Sequence, residues 1–499
     1  MSRSAIVIGS GFAGLSAATA LAAKGFAVTV VEKNDTPGGR ARVWRKDGFV
    51  FDMGPSWYWM PDVFEQWFAS FGSSVKAHYD LVRLDPSYRV FFGDADTWDI
   101  PAGTAELLAL FDRVEPGAGA RLKDFLQEAG MKYRLGMNDL VHRPALRWSE
   151  FVNARVVSGM MRSTVFTSLR KHVRSRFSDP RLQQLLEFPV LFLGATPERT
   201  PALYSLMNYA DMMLGTWYPM GGMGRIVDGM VAVARDHGVH FRTNTPVTRI
   251  LVEQGRARGV ETTAGVLRAD LVVAGADYHH VETSLLDPEF RSYSEAYWES
   301  RVMAPSSLLF YLGFDRRLEG LRHHNLFFDR SLDVHAREIY DAPAWPSDPL
   351  MYVCVPSITD PSVAPAGHEN VFALIPIAPG LEDTPAIRER YLRQVLDRIG
   401  QRTGIDVRPH MVLQRSYCIN DFQADHNAFR GNAYGLANTL RQTAVLKPRM
   451  KSRRVQGLYF TGQLTVPGPG VPPSLISGQV VADLIAKEFP QRATSPLPA

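Results

Sequence analysis

The sequence predicts an α/β chain: an open, mostly parallel sheet assembled from distant segments, interleaved with an α+β portion. Three observations carry this. A glycine-rich turn near the N-terminus separates two short apolar runs and opens an alanine-rich helix. A dense Pro/Gly loop near the C-terminus, "TGQLTVPGPGVPPSLISG", follows another short apolar run and opens the last helix. Finally, the chain has 499 residues, too many for one ordinary core.

The N-terminal stretch "SAIVIGSGFAGLSAATALAAKGFAVTVVEKN" divides into parts. Ala5 to Ile8 reads as a buried strand, the helix runs to about Lys24 with Gly25 closing it, and Ala27 to Val31 reads as a second strand. Gly9, Gly11 and Gly14 form G-x-G-x-x-G: one glycine for the turn, one for backbone approach to a diphosphate, one for helix–strand packing. Phe12 and Ala13 open the helix whose N-terminus faces the phosphates. Glu32 stands where a carboxylate accepts hydrogen bonds from a ribose, with Lys33 beside it. A bare glycine motif is weak; flanked by two strands, a helix and an acid it specifies a dinucleotide site.

Downstream, "PGGRAR" offers a second close backbone approach at Gly38 and Gly39, and Arg40 as a planar fork for phosphate. Arg42 is expected to be solvated. "FVFDMGPS" reads as a strand ending in a turn at Gly54 and Pro55. At the far end "GLYFTG" reads as a short strand, and Pro472 or Pro473 suits the first turn of the final helix. In the middle, Ile226, Val227, Met230 and Val233 form one helical face stopped by Gly238, and Leu271 to Ala274 return as a buried strand. Thr200 is expected to cap a helix with Pro201 in its first turn and Leu203, Leu206, Ala210 and Met213 on one face. Val63, Phe64, Trp67, Phe68 and Phe71 make an aromatic stripe read as core.

Composition narrows the function. Hydrophobic residues make up 45% and charged residues 21% of the chain, as in folded water-soluble proteins. A formal net charge of +4 gives no case for a nucleic-acid partner. Cys354 and Cys418 are the only cysteines, which excludes a disulfide framework and points to a reducing cytoplasm. Ala5 to Ala23 imitates a signal peptide, but its fixed glycine pattern argues against one. With no apolar run of about 18 residues, no spanning helix is expected. No metal motif is visible, and His279, His280, His323 and His324 are read as surface residues. The 147–177 segment carries seven arginines and lysines against one glutamate. Val152, Val156, Met160, Met161 and Val165 supply its apolar positions, so it reads either as a membrane-surface element or as a helix with a solvated basic face.

Three blocks together, "VIGSGFAGLSAATALAAKGFAVTVVEKNDTPGGRA", "YPMGGMGRIVDGM" and the C-terminal stretch from "GNAYGLANTL" to "SLISGQVVA", resemble the bacterial-type phytoene desaturases and related carotenoid desaturases. These belong with the amine oxidases among the two-dinucleotide-binding-fold flavoproteins. The resemblance implies a Rossmann-like, two-dinucleotide-binding-fold FAD domain with an interleaved α+β substrate domain. The FAD domain would comprise residues 1–56, 219–289 and 426–490, and the substrate domain residues 57–218 and 290–425, with 491–499 a tail. It implies non-covalent FAD, contacted by the glycine turn, Glu32, Gly39 and Arg40. Further contacts would come from Gly54, Pro55, Gly462, Gln463, Gly470, Val471 and Pro472, with Val247 near the adenine.

The implied reaction is desaturation of a C40 carotenoid precursor by hydride transfer to FAD, with oxygen or a quinone as electron acceptor. No second G-x-G-x-x-G is present for a nicotinamide cofactor. An apolar substrate implies a cytoplasmic protein peripherally associated with the membrane. Phytoene is the first choice of substrate and a hydroxylated carotenoid, desaturated at the 3,4 position, the second. An amine oxidase and a non-catalytic FAD-fold carrier are the other readings. The catalytic base stays open: Glu150 and Asp139 are candidates by location only, and a surface carboxylate is the more ordinary reading of each.

Overall fold

The computed structural model describes residues 2–93, 96–151 and 167–490. Its first layer is a five-stranded sheet in the order Leu458–Phe460, Leu271–Ala274, Ser4–Ile8, Ala27–Val31, His240–Arg242. Every neighbouring pair is parallel. Parallel strands are covered on both faces, which is why Leu271–Ala274 is an unbroken apolar run and wholly buried. The helices Phe12–Ala23 and Val471–Glu488 pack directly on each other. A Cβ on Gly478 would lie 2.5 Å from the Ala13 carbonyl oxygen and 2.6 Å from the Ala17 nitrogen. Only glycine allows that crossing, and it joins the two ends of the chain. Ser16 ties it further, donating to the Leu475 carbonyl at 2.7 Å and accepting from the Trp67 indole at 2.9 Å.

The second layer is a seven-stranded mixed sheet. Its order is Met411–Tyr417, Ser306–Phe314, Glu369–Ile377, Met351–Cys354, His324–Phe327, Tyr88–Phe91, Thr97–Ile100. His324–Phe327 and Tyr88–Phe91 run parallel; the other neighbours are antiparallel. Ser306–Phe314 is buried along all nine residues. A smaller antiparallel sheet joins Val247–Glu253, Arg256–Thr262 and Gly265–Arg268.

Local periodicity reads several helices correctly. Gly224–Asp236 buries Ile226, Val227, Met230 and Val233, and Gly238 follows it at φ +80°. Pro61–Ala69 buries Val63, Phe64, Trp67 and Phe68.

The expected helix after Thr200 is different. Pro201 precedes a 3₁₀ turn, Ala202–Ser205, and the α-helix spans only Leu206–Met212. The Thr200 hydroxyl donates to the Thr196 carbonyl at 2.9 Å, so it caps nothing. Polar residues share the inward face with the expected Ala210: Asn208 donates to the Leu186 carbonyl, and Asp211 accepts from Tyr88 at 2.8 Å. Met213 is left exposed.

Among the described residues no helix is long and apolar enough to cross a membrane. The apolar positions Val152, Val156, Met160, Met161 and Val165 lie outside the described residues. In the described part of that basic segment, Arg170 pairs with Glu198 and Asp333, Arg174 with Glu187, and Arg176 with Glu128.

Candidate active site

The glycine turn is built by contact as much as by conformation. Gly9 has φ +90°, and a Cβ on Gly14 would stand 2.0 Å from the Gly9 carbonyl oxygen. Gly11 is the N-cap of the following helix and no side chain caps it. The first N–H groups around Phe12 and Ala13 are therefore presented to whatever occupies the turn.

Glu32, 5% exposed, holds the turn from the next strand. One of its oxygens accepts from the Ser10 N–H at 2.9 Å and the Ser10 hydroxyl at 2.6 Å. The other accepts from the Asn34 N–H and side-chain amide, both at 3.0 Å. A ribose hydroxyl would join or replace one of these donors. Lys33 beside it is turned to another use, donating to the Ala424 carbonyl at 2.6 Å.

A second backbone approach closes the cradle. A Cβ on Gly39 would lie 3.1 Å from Gly11 Cα, and one on Gly54 would lie 2.4 Å from the Arg40 carbonyl oxygen. Arg40 donates through Nη2 to the Asn432 carbonyl at 3.2 Å, while its buried Nε has no partner. Burial pushes the guanidinium pKa down, with buried Asp277 opposing. Gln463 donates to the Asn432 side-chain oxygen at 3.1 Å. Gly11, Gly39, Arg40, Gly54 and Gln463, remote in sequence, thus form one connected surface, and Asn432 is its missed member. Arg42 is not solvated as expected: it pairs with Asp425 at 2.5 Å and its side chain is only 13% exposed.

The Pro/Gly loop completes the arrangement. A Cβ on Gly462 would lie 3.6 Å from Ala13 Cβ, and the Gly462 N–H donates to Ser477 at 3.0 Å. Gly470, at φ +111°, is the N-cap of the last helix, with Val471 and Pro472 in its first turn. Val247 begins a strand just past Thr245, whose N–H donates to the Glu32 carbonyl at 2.9 Å.

Two residues that sequence reasoning passed over lie against this loop. A Cβ on Gly468 would meet Asn438 Oδ1 at 2.9 Å and Lys447 Nζ at 3.2 Å. Both of those polar atoms are buried without a hydrogen-bond partner. Burial alone brings the Lys447 ammonium down to about 7.

An apolar pocket opens between the helix Leu332–Tyr340 and the seven-stranded sheet. Phe188, Leu326, Phe328, Ile339, Leu374 and Tyr434 line it, together with Tyr352. Tyr352 donates to Ser56 Oγ at 3.0 Å, and Ser56 directly follows Gly54 and Pro55. One hydroxyl pair therefore links the pocket wall to the glycine cradle. His335 is also in the wall, held by the Pro376 carbonyl at 2.8 Å.

The two sequence-nominated carboxylates are elsewhere. Glu150 folds onto its own turn, accepting from the Leu146 and Arg147 N–H groups at 2.9 Å. Asp139 sits in the π-helical turn Gly136–Leu140. Neither lines the apolar pocket. The histidine expectation is corrected as well: His323 and His324 are 4% and 0% exposed. His324 opens the strand His324–Phe327 in the seven-stranded sheet, His323 directly precedes it, and burial pushes the His323 imidazole down to about 3.

The model for flavin containing amine oxidoreductases matches residues 12–486. The chain belongs to that family. A carotenoid 3,4-desaturase of Haloarcula japonica is 44% identical over 97% of this chain and 98% of its own length. A zeta-carotene-forming phytoene desaturase of Myxococcus xanthus is 34% identical over 96% of this chain and 93% of its own. Among solved structures, an oxidoreductase of Methanosarcina mazei aligns with a TM-score of 0.59 at 18% identity. It covers 96% of this chain and 100% of its own, and at that identity it speaks for the fold alone.

This flavoprotein oxidoreductase takes FAD as its cofactor. The residues present fit it: an uncapped helix N-terminus, two glycines that meet backbone to backbone, and an orphaned arginine nitrogen are what a diphosphate requires.

Proposed function

We propose that this flavoprotein desaturates a carotenoid carrying a hydroxylated end, introducing a 3,4 double bond, and that phytoene is the second choice. The observation that carries the desaturase reading is the apolar pocket joined to the cradle through Tyr352 and Ser56. The order of substrates rests on the 44% identity to a carotenoid 3,4-desaturase against 34% to a phytoene desaturase.

Desaturation removes a hydride from one carbon and a proton from its neighbour. FAD held in the cradle would supply the two-electron acceptor for that hydride, with oxygen or a quinone as the terminal acceptor. The chain's own residues bind and exclude water. Gly9, Gly11, Phe12, Ala13, Gly14, Gly39 and Arg40 hold the diphosphate, and Glu32 with Lys33 borders the ribose. Val247 lies toward the adenine. Gly54, Pro55, Gly462, Gln463, Gly470, Val471 and Pro472 border the other end. Phe188, Phe328 and Tyr434 hold a polyene by contact area, which fixes its position without a polar clamp.

The FAD domain is residues 1–56, 219–289 and 426–490, with the substrate domain between. The protein works at the membrane surface, where its substrate is dissolved. Trp148, 63% exposed and next to exposed Arg147, supports that placement.

The test is incubation of FAD-loaded protein with liposomes containing either phytoene or a hydroxylated carotenoid, followed by product mass and absorbance. The hydroxylated carotenoid should lose two hydrogens and shift to longer wavelength. Conversion of phytoene alone would reverse the order. Conversion of neither, with oxidation of an aliphatic amine, would overturn the reading.

A further inference from the structure

His324 opens the strand His324–Phe327, and Cys354 closes the strand Met351–Cys354. These strands pair antiparallel with His324 opposite Cys354. The pairing brings a ring nitrogen of His323, a ring nitrogen of His324 and the Cys354 sulfur within 4.8 Å of one another, all three residues buried. Each ring is held from behind. His323 Nδ1 lies 2.7 Å from the Thr359 hydroxyl, and His324 Nδ1 lies 2.7 Å from the Tyr352 hydroxyl.

The Tyr352 hydroxyl donates to Ser56 and also meets the Cys354 thiol. With its proton on Ser56, its oxygen accepts from His324 Nδ1–H, the tautomer that leaves Nε2 as a bare lone pair. Trp57 stacks on the His324 ring at 4.2 Å and 12°. The Nε2 atoms of both histidines are buried with no hydrogen-bond partner. Proteins seldom leave two such nitrogens unpaired in one place. One ring nitrogen fixed by an outer partner and the other bare is how histidines are presented to a metal.

We propose that His323 Nε2, His324 Nε2 and Cys354 Sγ form a binding site for a transition-metal dication of the zinc class. Two imidazoles and a thiolate suit zinc, whereas magnesium and calcium require oxygen donors. Loading forms a metal–sulfur bond and releases the Cys354 thiol proton to solvent, with no change of oxidation state. Cys354 also borders a small cavity shared with Asp52, Ser56 and Tyr218, which has room for a water beside the sulfur. The metal would clamp the two strands and, through His324, fix the Tyr352–Ser56 contact.

The test uses the full-length, FAD-loaded protein expressed with added zinc, then dialysed. Elemental analysis should find one zinc per chain. X-ray absorption at the zinc edge should show one sulfur at about 2.3 Å and nitrogens at about 2.0–2.1 Å. Cys354→Ser should weaken zinc binding about tenfold or more, while Cys418→Ser retains it. FAD content and melting temperature establish that each variant is folded. If Cys354→Ser does not fold, a sulfur shell that persists in Cys418→Ser decides in favour of the site. Absence of stoichiometric zinc, a zinc shell without sulfur, or equal zinc affinity in folded Cys354→Ser would overturn it.

Discussion

Gly11 and Gly39 meet backbone to backbone: a methyl group on Gly39 would stand 3.1 Å from Gly11 Cα, with Gly39 at φ +55°. The converse is roomy. A methyl group on Gly11 would lie 3.9 Å from Gly39 Cα, and Gly11 has an ordinary φ of –69°. The two positions therefore separate fold from ligand. Gly11→Ala should keep the melting temperature of the apo-protein yet weaken FAD on the order of tenfold, about 1.4 kcal/mol. Gly39→Ala should lower apo stability as well, by about 1–2 kcal/mol for a left-handed backbone given a side chain. Flavin titration and thermal melting measure both; unchanged FAD affinity in Gly11→Ala would remove the turn from the site.

Glu32 has work to do before any ribose arrives, since it takes donors from Ser10 and Asn34. Glu32→Ala should destabilise the apo-protein by about 1–3 kcal/mol through those orphaned buried donors, and should lower FAD occupancy too. An apo melting temperature equal to wild type would show that the carboxylate serves the ligand alone.

Lys447 makes stability depend on pH. Its folded-state value of about 7 lies below its ordinary 10.5. Between these, the unfolded chain binds a proton that the folded chain does not, so the contribution to stability rises with pH. The full penalty of a buried ammonium applies below about pH 7 and is gone above 10.5. Lys447→Met should therefore gain most over wild type at mildly acidic pH, with the difference shrinking by up to about 1.4 kcal/mol per pH unit across that window. Parallel melting curves of wild type and variant against pH check this; a constant offset would refute it.

Membrane attachment gives a fourth expectation. Arg170, Arg174 and Arg176 are already paired with carboxylates of the same chain, so attraction to anionic lipid should be modest. Apolar insertion should carry more of the binding. In liposome flotation, Trp148→Ala should reduce recovery with the vesicles more than Lys171→Ala does, and added salt should weaken binding only partly. Complete release by salt would reverse that order.

The sequence by itself determined the elements whose cause is local. Gly9, Gly11 and Gly14 between two short strands, the alanine-rich helix, the glycine stops and the proline-led last helix are all legible from turn chemistry and periodicity. They were enough to specify a dinucleotide site; that the dinucleotide is FAD followed from the resemblance of the three sequence blocks to the carotenoid desaturases. The limit was reached wherever partners are remote in the chain. Arg40 and Gln463 converge on Asn432 only because strand Leu458–Phe460 joins the N-terminal sheet through Leu271–Ala274. Lys447 looks like one more surface lysine until Asn438 and Gly468 close over it. His323 and His324 look like an adjacent pair with nothing to bind until antiparallel pairing sets Cys354 opposite His324 and brings all three side chains together. Burial and cross-strand register are properties of the assembled sheet, and no spacing along the chain encodes them.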